Sequence, residues 1–262
     1  MKKVKKYFKI FKINFSNELM YVINYVSTFL FFGVVLIVFS QLWRAIYSEN
    51  PVIEGFTYEK MIWYFMYAET VMLSRFPFVR EIADEIKSGD IAYRLNKPYS
   101  YILYYYSKFI SSSILKLFLN TLVGITILTI AFKGYPMPLI GLILGFTSAI
   151  IGLSIHFVFH FFIALSAMWF EDNTAFLFVY SKILLTIGGL FIPIEMFPET
   201  VKIIANALPF KHIIYTPATI YINGAENFLK LFSAQIFTLL ILSVVVAFAF
   251  EKSKKRFNVN GG

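Results

Sequence analysis

Two histidines four residues apart are the arrangement in this sequence that comes nearest to a metal site. His156 and His160 would lie one turn apart on a helix, where two imidazoles can bind one metal ion. The metalloprotease form of this spacing has a glutamate directly after the first histidine, and Phe157 stands there instead. His212 is the only other histidine, and the chain contains no cysteine. With so few further ligands, we expect no metal or haem centre.

Three ionisable residues stand inside long apolar stretches: Glu69, Lys116 and Lys182. Ionisable groups are costly at the centre of a bilayer and seldom face lipid, so these side chains should pair or line a polar path. If the stretches of Glu69 and Lys116 cross a membrane in opposite directions, a rise of about 1.5 Å per residue places both near its centre. The sequence therefore predicts an ion pair between Glu69 and Lys116, with Lys182 as the competing partner.

Polar residues recur every four positions between residues 108 and 120, so they share one face of a helix. Such a face either lines a substrate path or forms a polar packing seam between helices, and the sequence supports both interpretations. The candidate residues of a substrate path are Glu69, Lys108, Ser112, Lys116, Asn120 and Lys182.

The composition is that of a membrane protein. Of 262 residues, 58% are hydrophobic and only 15% are charged, and the mean hydropathy is +0.70. An average soluble domain is about a quarter charged, so this chain has too little polar surface to cover a soluble globule. The net charge of +9 comes from lysines and arginines at the chain ends and in one loop. This clustering favours anionic lipid head groups, rather than nucleic acid, as the counter-charge.

Long apolar runs recur along the chain, and a spanning helix needs about 20 apolar residues. The sequence therefore predicts an all-α integral membrane protein with about six transmembrane helices in a single domain, residues 19–262. The predicted spans are residues 19–43, 58–77, 100–132, 138–169, 174–193 and 228–250.

The first 18 residues predict an amphipathic helix that lies in the membrane interface. Lysines occupy most of its circumference, and its apolar stripe consists of Val4, Tyr7, Phe8, Phe11 and Phe15. A signal peptide is the alternative, but the apolar run continues to about Val38 without a small-residue cleavage site.

Lysines and arginines mark the cytoplasmic side of a membrane protein. Here they concentrate in the N-terminal segment, the loop after the second span and the C-terminal tail, as Lys2, Lys3, Lys5, Lys6, Lys9, Lys12, Arg75, Arg80, Lys87, Arg94, Lys97, Lys252, Lys254, Lys255 and Arg256. Six spans place these segments on one side, so both termini should be cytoplasmic in a bacterial-type inner or plasma membrane. The loop at residues 169–174 should share that side although it holds Glu171 and Asp172, because acidic residues count little.

The loop between the second and third predicted spans has the pattern of two short helices. Phe78, Ile82 and Ile86 are four residues apart and share one helical face. Gly89 suits the left-handed position that ends a helix, and Asp90 can cap a second one. A solvated connector is the alternative, but the apolar face favours a docking element for a cytoplasmic partner.

Four prolines divide the stretch between the fifth and sixth predicted spans: Pro193, Pro198, Pro209 and Pro217. The pieces between them are too short to cross a bilayer and too apolar for an ordinary loop. The sequence predicts two short re-entrant helices that dip in from the outer face.

Several segments resemble, in the same order, the signatures of one known family. They are Glu85–Ser100 (EIKSGDIAYRLNKPYS), Ala167–Asp172 (AMWFED), Gly188–Pro198 (GGLFIPIEMFP) and Leu208–Phe210 (LPF). On these residues the chain resembles bacterial type-2 ABC exporter permeases of the uncharacterised or multidrug-type branch, over nearly its whole length. Lys97 departs from the pattern, in which arginine is usual, and this keeps the charge but loses bidentate geometry.

The resemblance implies a six-span permease subunit whose first cytoplasmic loop, with its coupling helices, contacts an ABC ATPase dimer. The contact residues it implies are Ile82, Glu85, Ile86, Lys87, Ser88, Gly89, Asp90, Arg94 and Lys97. It also implies export as the direction and a second permease subunit, in a homodimer or a heterodimer. The sequence has no Gly-x-x-x-x-Gly-Lys-Ser/Thr loop, so we expect ATP and Mg to bind the separate ATPase, and no cofactor to bind this chain.

Two other functions stay open from the sequence. An intramembrane transferase or protease would need paired acidic motifs, a nucleophile with its base, or a metal cluster, and no such pattern is visible. A membrane sensor that binds an ATPase without transporting would share the same docking loop. In each case membrane lipids are expected partners and nucleic acid is not.

Overall fold

The computed structural model describes residues 2–131, 139–170 and 172–260. Within this part of the chain the protein is almost entirely helical, which confirms the predicted all-α fold. Its α-helices are α1 (Lys2–Met20), α2 (Val26–Ile46), α3 (Tyr58–Leu73), α4 (Val79–Ser88), α5 (Asp90–Leu95), α6 (Tyr101–Ala131), α7 (Leu139–Leu165), α8 (Thr174–Ile187), α9 (Glu199–Ala207), α10 (Tyr215–Asn223) and α11 (Phe228–Asn260). Short 3-10 helices cover Val22–Tyr25, Ser166–Met168, Ile194–Met196 and Pro209–His212.

Four helical segments of the described residues are long and apolar enough to cross a membrane: Val26–Ile46, Tyr101–Ala131, Leu139–Met168 and Phe228–Lys254. The other two predicted spans correspond to α3 and α8, which have 16 and 14 residues. At about 1.5 Å per residue both are shorter than the bilayer core of about 30 Å. Each ends early because the chain turns, at Ser74 after α3 and at Gly188 after α8. The membrane-protein class is confirmed, and the count of six spans stays a prediction.

Helix α3 lies at the centre of the bundle. Every residue from 61 to 71 is buried, and the helix packs against α2, α6 and α10. A small hairpin precedes it, in which β1 (Val52–Ile53) pairs antiparallel with β2 (Phe56–Thr57). Glu54 and Gly55 form its two-residue turn with φ of 48° and 77°, the signature of a type I′ turn. The sequence analysis did not predict this hairpin.

The predicted re-entrant segment contains two helices of nine residues each, α9 and α10. In α9 the side chains of Ile203 and Ile204 are exposed, whereas residues 216–221 of α10 are all buried. Helix α10 lies between α3 and α7. On the α3 side, the ring of Tyr221 stacks on that of Tyr67, with centroids 4.2 Å apart and planes 1° from parallel.

Glycines of α7 allow the backbone of the re-entrant segment to approach closely. A Cβ atom on Gly141 would lie 1.8 Å from the carbonyl oxygen of Tyr221, and one on Gly145 would lie 2.9 Å from the Cβ of Tyr221. Seven residues further along α7, a Cβ on Gly152 would lie 2.6 Å from the carbonyl oxygen of Ile213. Small residues four apart are the usual means of bringing membrane helices into backbone contact. The α7 glycines therefore determine where α10 can sit.

Gln235 of α11 holds the backbone just before α10 in place. Its buried amide donates to the backbone carbonyls of His212, at 2.7 Å, and Ser148, at 3.3 Å. Its amide oxygen accepts from the Ser148 hydroxyl at 2.6 Å. One side chain thus joins α7, α11 and the 3-10 helix before α10, and it satisfies backbone groups that lipid could not.

The chain ends and the α4–α5 loop meet at one end of the bundle. The ammonium of Lys6 donates to the carbonyl of Pro98, and the backbone N–H of Ser100 donates to the hydroxyl of Tyr7 at 2.7 Å. Near the end of α11, Phe250 stacks on Tyr101 with ring centroids 5.8 Å apart. The three cationic segments found in the sequence therefore share one end of the molecule.

We predict that Gly141→Ala destabilises the protein, because its Cβ cannot fit against the Tyr221 carbonyl. Overpacking of this kind costs about 1 to 3 kcal/mol, so the apparent melting temperature of the detergent-purified protein should fall. Gly33→Ala is the matched control, since a Cβ there meets only the end of the Ile127 side chain at 3.5 Å. Equal melting temperatures for the two variants would contradict the proposed role of the α7 glycines.

Candidate coupling site and membrane charges

Helices α4 and α5 form a bent projection that we call the elbow, residues 79–95. Helix α4 ends at Ser88, and Gly89 follows with φ of +82°, the left-handed conformation that glycine adopts without strain. This confirms the predicted glycine stop. Asp90 does not cap α5 as expected: it is the first residue of that helix, and its carboxylate accepts from the Ser88 hydroxyl at 2.9 Å.

The apolar face of α4 is buried inside the protein. Phe78, Ile82 and Ile86 are between 0% and 8% exposed, and α4 packs against α7 and the 3-10 helix Ser166–Met168. Our expectation that this face itself docks onto a partner is therefore corrected. Because apolar side chains are more stable out of water, the fold uses this face to anchor the elbow to the membrane helices.

A buried carboxylate ties the elbow to α6. Glu85, 8% exposed, accepts from the Tyr101 hydroxyl at 2.7 Å and from the Arg94 guanidinium at 3.1 Å. The Arg94 guanidinium also lies over the ring of Tyr104, 5.7 Å from its centroid. Glu85 and Arg94 were predicted from the resemblance to touch an ATPase. Here they join α4, α5 and α6 into one unit, so they hold the elbow in position.

A second ion pair supports the elbow from α6. The ammonium of Lys108 lies 2.6 and 2.8 Å from the carboxylate oxygens of Glu81 on α4. Four residues along the predicted polar face, Ser112 is buried, and twelve residues beyond Lys108 the Asn120 amide donates to the Ser74 hydroxyl at 3.4 Å. For Lys108 and Asn120 these contacts favour the packing-seam interpretation over the substrate path.

The tip of the elbow, residues 87–90, is exposed. Tyr93 on α5 is exposed beside it, at 67%. The ammonium of Lys97 donates to the Tyr93 hydroxyl at 2.8 Å, and this hydrogen bond lowers the pKa of Tyr93. The elbow thus combines a buried base with a short polar tip that no described part of the chain covers.

The loop between α7 and α8 lies next to the elbow, which the sequence analysis did not foresee. The hydroxyl and backbone N–H of Thr174 donate to the Asp172 carboxylate at 2.6 and 2.8 Å and lower its pKa. The positive charges of Lys87 and Arg80 lower it further, so this acidic loop faces the cations of the elbow. Glu171, the other acidic residue of that loop, lies outside the described residues.

The predicted ion pair between Glu69 and Lys116 is not formed, and this prediction was wrong. No ion pair of the described residues joins Glu69 to either Lys116 or Lys182. Glu69 is buried on α3, and the charge that acts on it is that of Arg75, in the loop between α3 and α4. The two residues can share a depth and still miss each other, because they point in different directions around their helices.

Lys116 faces α1 and the start of α2. Its ammonium lies 5.3 Å from the ring centroid of Phe76 and 5.5 Å from that of Tyr25. The Tyr25 hydroxyl in turn donates to the carboxylate of Glu18 at the end of α1. The aromatic rings and the nearby Glu18 carboxylate stabilise the ammonium where lipid could not.

Lys182 has a different environment, on the exposed side of α8. Its ammonium lies 5.1 Å from the ring centroid of Phe178, which is 61% exposed. The neighbouring residues Phe176 and Val179 are also exposed. This face is apolar apart from the lysine and Thr186.

The histidine pair lies in the aromatic core. The rings of His156 and His160 are 3.9 Å apart, and the Nδ1 atom of His156 forms a hydrogen bond with the Tyr180 hydroxyl at 2.7 Å. Phe78 and Phe109 pack against them. In the described part of the chain no three histidine or acidic residues come close enough to hold a metal ion.

The described residues thus form a bundle of apolar helices, four of them long enough to cross a membrane, with the elbow at one end. The family of ABC-2 family transporter proteins matches residues 32–261, and the chain belongs to this family. The match confirms the permease class that the resemblance suggested. Comparison with curated proteins and with solved structures found no match.

We predict that Glu69→Gln and Lys116→Met have additive effects on stability. Since the side chains do not pair, the coupling energy of the double-mutant cycle should stay below about 0.5 kcal/mol. The measurement is the denaturant or thermal stability of the two single variants, the double variant and the parent in detergent. A double variant clearly more stable than additivity requires would show that the two charges do interact.

Proposed function

We propose that this ABC transporter membrane subunit is the permease of an exporter, and that a separate ATPase dimer drives it through the elbow. The observation that carries the proposal is the contrast between the buried base of the elbow and its exposed tip at residues 87–90. A polar tip suits a reversible contact with a soluble ATPase. An apolar base that is packed into the bundle suits transmission of force from that contact to the membrane helices. The absence of a phosphate-binding loop from the sequence supports a separate ATPase.

Force on the tip would reach the membrane helices by two routes. Glu85 links the elbow through the Tyr101 hydroxyl to the first turn of α6. Ile82 and Ile86 transmit it through packing onto α7. Because close-packed elements move as rigid bodies, a displacement of the tip would shift α6 and α7 together.

The exposed tip has neighbours that can enlarge the contact. Trp169 and Phe170, in the loop beside the elbow, are 49% and 52% exposed. We assign them, with Lys87, Ser88, Gly89, Asp90 and Tyr93, to the surface that meets the ATPase. Ile82, Glu85, Ile86 and Arg94 belong to its support, and Lys97 contributes through its hydrogen bond to Tyr93.

A second permease subunit would complete the transport path. Lys182 is exposed on α8, in a segment that is otherwise apolar enough to lie in the membrane. A charged group on such a face is too costly to leave in lipid, so it needs a partner protein or a water-filled cavity. We propose that this face of α8 meets the second permease, identical or related, and that Lys182 marks the path between them.

The cation distribution supports a cytoplasmic location for both termini and the elbow in a bacterial-type inner or plasma membrane. The positive charges of Lys87 and Arg80 act on Asp172 in the acidic loop that seemed out of place on this side, and so partly compensate its charge.

We predict that Gly89→Val prevents co-purification of the ATPase while membrane insertion is retained. A β-branched residue is strained at φ of +82°, so the tip would change its shape although a Cβ there meets no atom within 4 Å. Gly89→Asn is the matched control, because asparagine tolerates the left-handed conformation, and this variant should keep the complex.

Both variants are measured as the amount of ATPase recovered with the affinity-tagged permease and as substrate-independent ATPase activity of the complex. If Gly89→Val keeps the parental complex and activity, the elbow is not the ATPase contact. If the complex forms and no transport can be found with any exported compound, the sensor function replaces the exporter.

We predict that Lys87→Cys is protected from an impermeant maleimide in intact cells and becomes labelled after the membrane is opened. Thr200→Cys, exposed on α9 at the opposite side, should be labelled in intact cells. The chain has no cysteine of its own, so the parent protein gives no background. Labelling of position 87 from outside would reverse the proposed orientation.

A further inference from the structure

Two apolar cavities lie on either side of the first turns of α6. The first, of about 350 Å³, is bounded by α6, α7 and α11, with Phe157, Leu239 and Val246 in its wall. The second, of about 540 Å³, lies between α6 and α1, with Val4, Phe8 and others in its wall. Both volumes are in the range of sites for small molecules, roughly 300 to 1,000 Å³.

The two cavities adjoin each other along α6. Leu103 and Tyr106 line both of them and separate one from the other. One hydrogen bond also joins the walls of the two cavities. The N–H of Ser100, in the wall of the first cavity, donates to the hydroxyl of Tyr7, in the wall of the second cavity. A molecule with two apolar chains and one polar end could therefore place a chain on each side of Leu103 and Tyr106.

The walls suit hydrocarbon chains rather than a polar ligand. In the first cavity the Ser154 hydroxyl donates to the carbonyl of Ile150 at 2.8 Å and lies 2.9 Å from the Tyr106 hydroxyl, so these two groups already bond to protein. On the outer side of α11, Val244 and Phe248 are 70% and 73% exposed. Since this surface faces lipid in a membrane protein, the first cavity opens towards the bilayer.

Positive charge lies where the two cavities meet. Lys6 donates to the carbonyl of Pro98, two residues before Ser100. The sequence contains no acidic residue before Glu18, so this charge has no local compensation along the first turns of α1. An anionic group is therefore the complementary ligand at this end.

We propose that the two cavities hold the two acyl chains of one anionic phospholipid, with its phosphate group at Lys6. The lipid fills the space between α1, α6, α7 and α11 and so joins the amphipathic helix to the helix that carries the elbow. The site does not depend on the ATPase contact. Only its assignment to the cytoplasmic leaflet rests on the proposed orientation, which the cysteine labelling tests separately.

The test uses the full-length protein in nanodiscs of equal parts phosphatidylglycerol and phosphatidylcholine, one of which carries a photoreactive group in an acyl chain. Cross-linked residues are mapped by mass spectrometry. We expect photoreactive phosphatidylglycerol to label Leu103, Tyr106 and Val246 more strongly than photoreactive phosphatidylcholine does. Val244, on the outer face of α11, should be labelled equally by both lipids.

Variants separate the head group from the chains. Lys6→Gln should lower phosphatidylglycerol labelling of Leu103 and Tyr106 about fivefold, the effect of one lysine beside an anionic lipid. Lys12→Gln, on the same helix, should leave this labelling unchanged.

Ala247→Phe should abolish labelling in the first cavity and leave labelling in the second cavity unchanged, with Val244→Phe as its control. Ser243→Phe replaces Ala247→Phe if that variant does not fold.

Equal labelling of cavity and outer-face residues by both lipids, unchanged in Ala247→Phe, would show bulk lipid only and overturn the proposal. Cavity labelling that is insensitive to Lys6→Gln and equal for both lipids would overturn the anionic head-group site.

Discussion

The close contact between the glycine face of α7 and the backbone of α10 is the constraint on which the rest of the structure depends. A helix of nine residues cannot cross a bilayer, and its free backbone groups cannot be left in lipid. The protein solves this by surrounding α10 with α3 on one side and α7 on the other, while Gln235 bonds the carbonyl that precedes it. The position of α3, and through it the burial of Glu69, follows from this arrangement.

The elbow obeys the opposite rule, since its proposed role needs an exposed surface. Its apolar face is buried and anchors it, and Glu85 and Glu81 add polar contacts to Tyr101 and Lys108 of α6. What is left for a partner is a polar tip whose shape depends on one left-handed glycine. A base anchored in the bundle with a small exposed tip is consistent with the proposed contact between the elbow and an ATPase. The neighbouring α7–α8 loop brings an acidic residue and two large aromatic side chains to the same place.

The sequence analysis placed the charged residues of the apolar stretches at the correct positions along their helices. It predicted the wrong interaction partners for Glu69 and Lys116. Depth in a membrane follows from counting residues, because the rise per residue is constant. Direction around the helix axis depends on how the helices pack, and this decided that Lys116 meets Tyr25 and Phe76 while Glu69 lies near Arg75. The partner of Lys108, Glu81, comes from the elbow, and the sequence analysis named no partner for this lysine.

The sequence by itself determined the membrane class, the long apolar helices, the amphipathic first helix, the glycine stop at residue 89 and the two short helices after α8. Each of these depends on local composition or on a single backbone position, so a linear pattern is sufficient. Only the tertiary structure decided which face of α4 is buried, that α10 packs on the glycines of α7, that the charge of Arg75 acts on Glu69, and that cavities flank Leu103 and Tyr106. These features arise from contacts between residues far apart in the chain, and their geometry depends on all the packed helices at once.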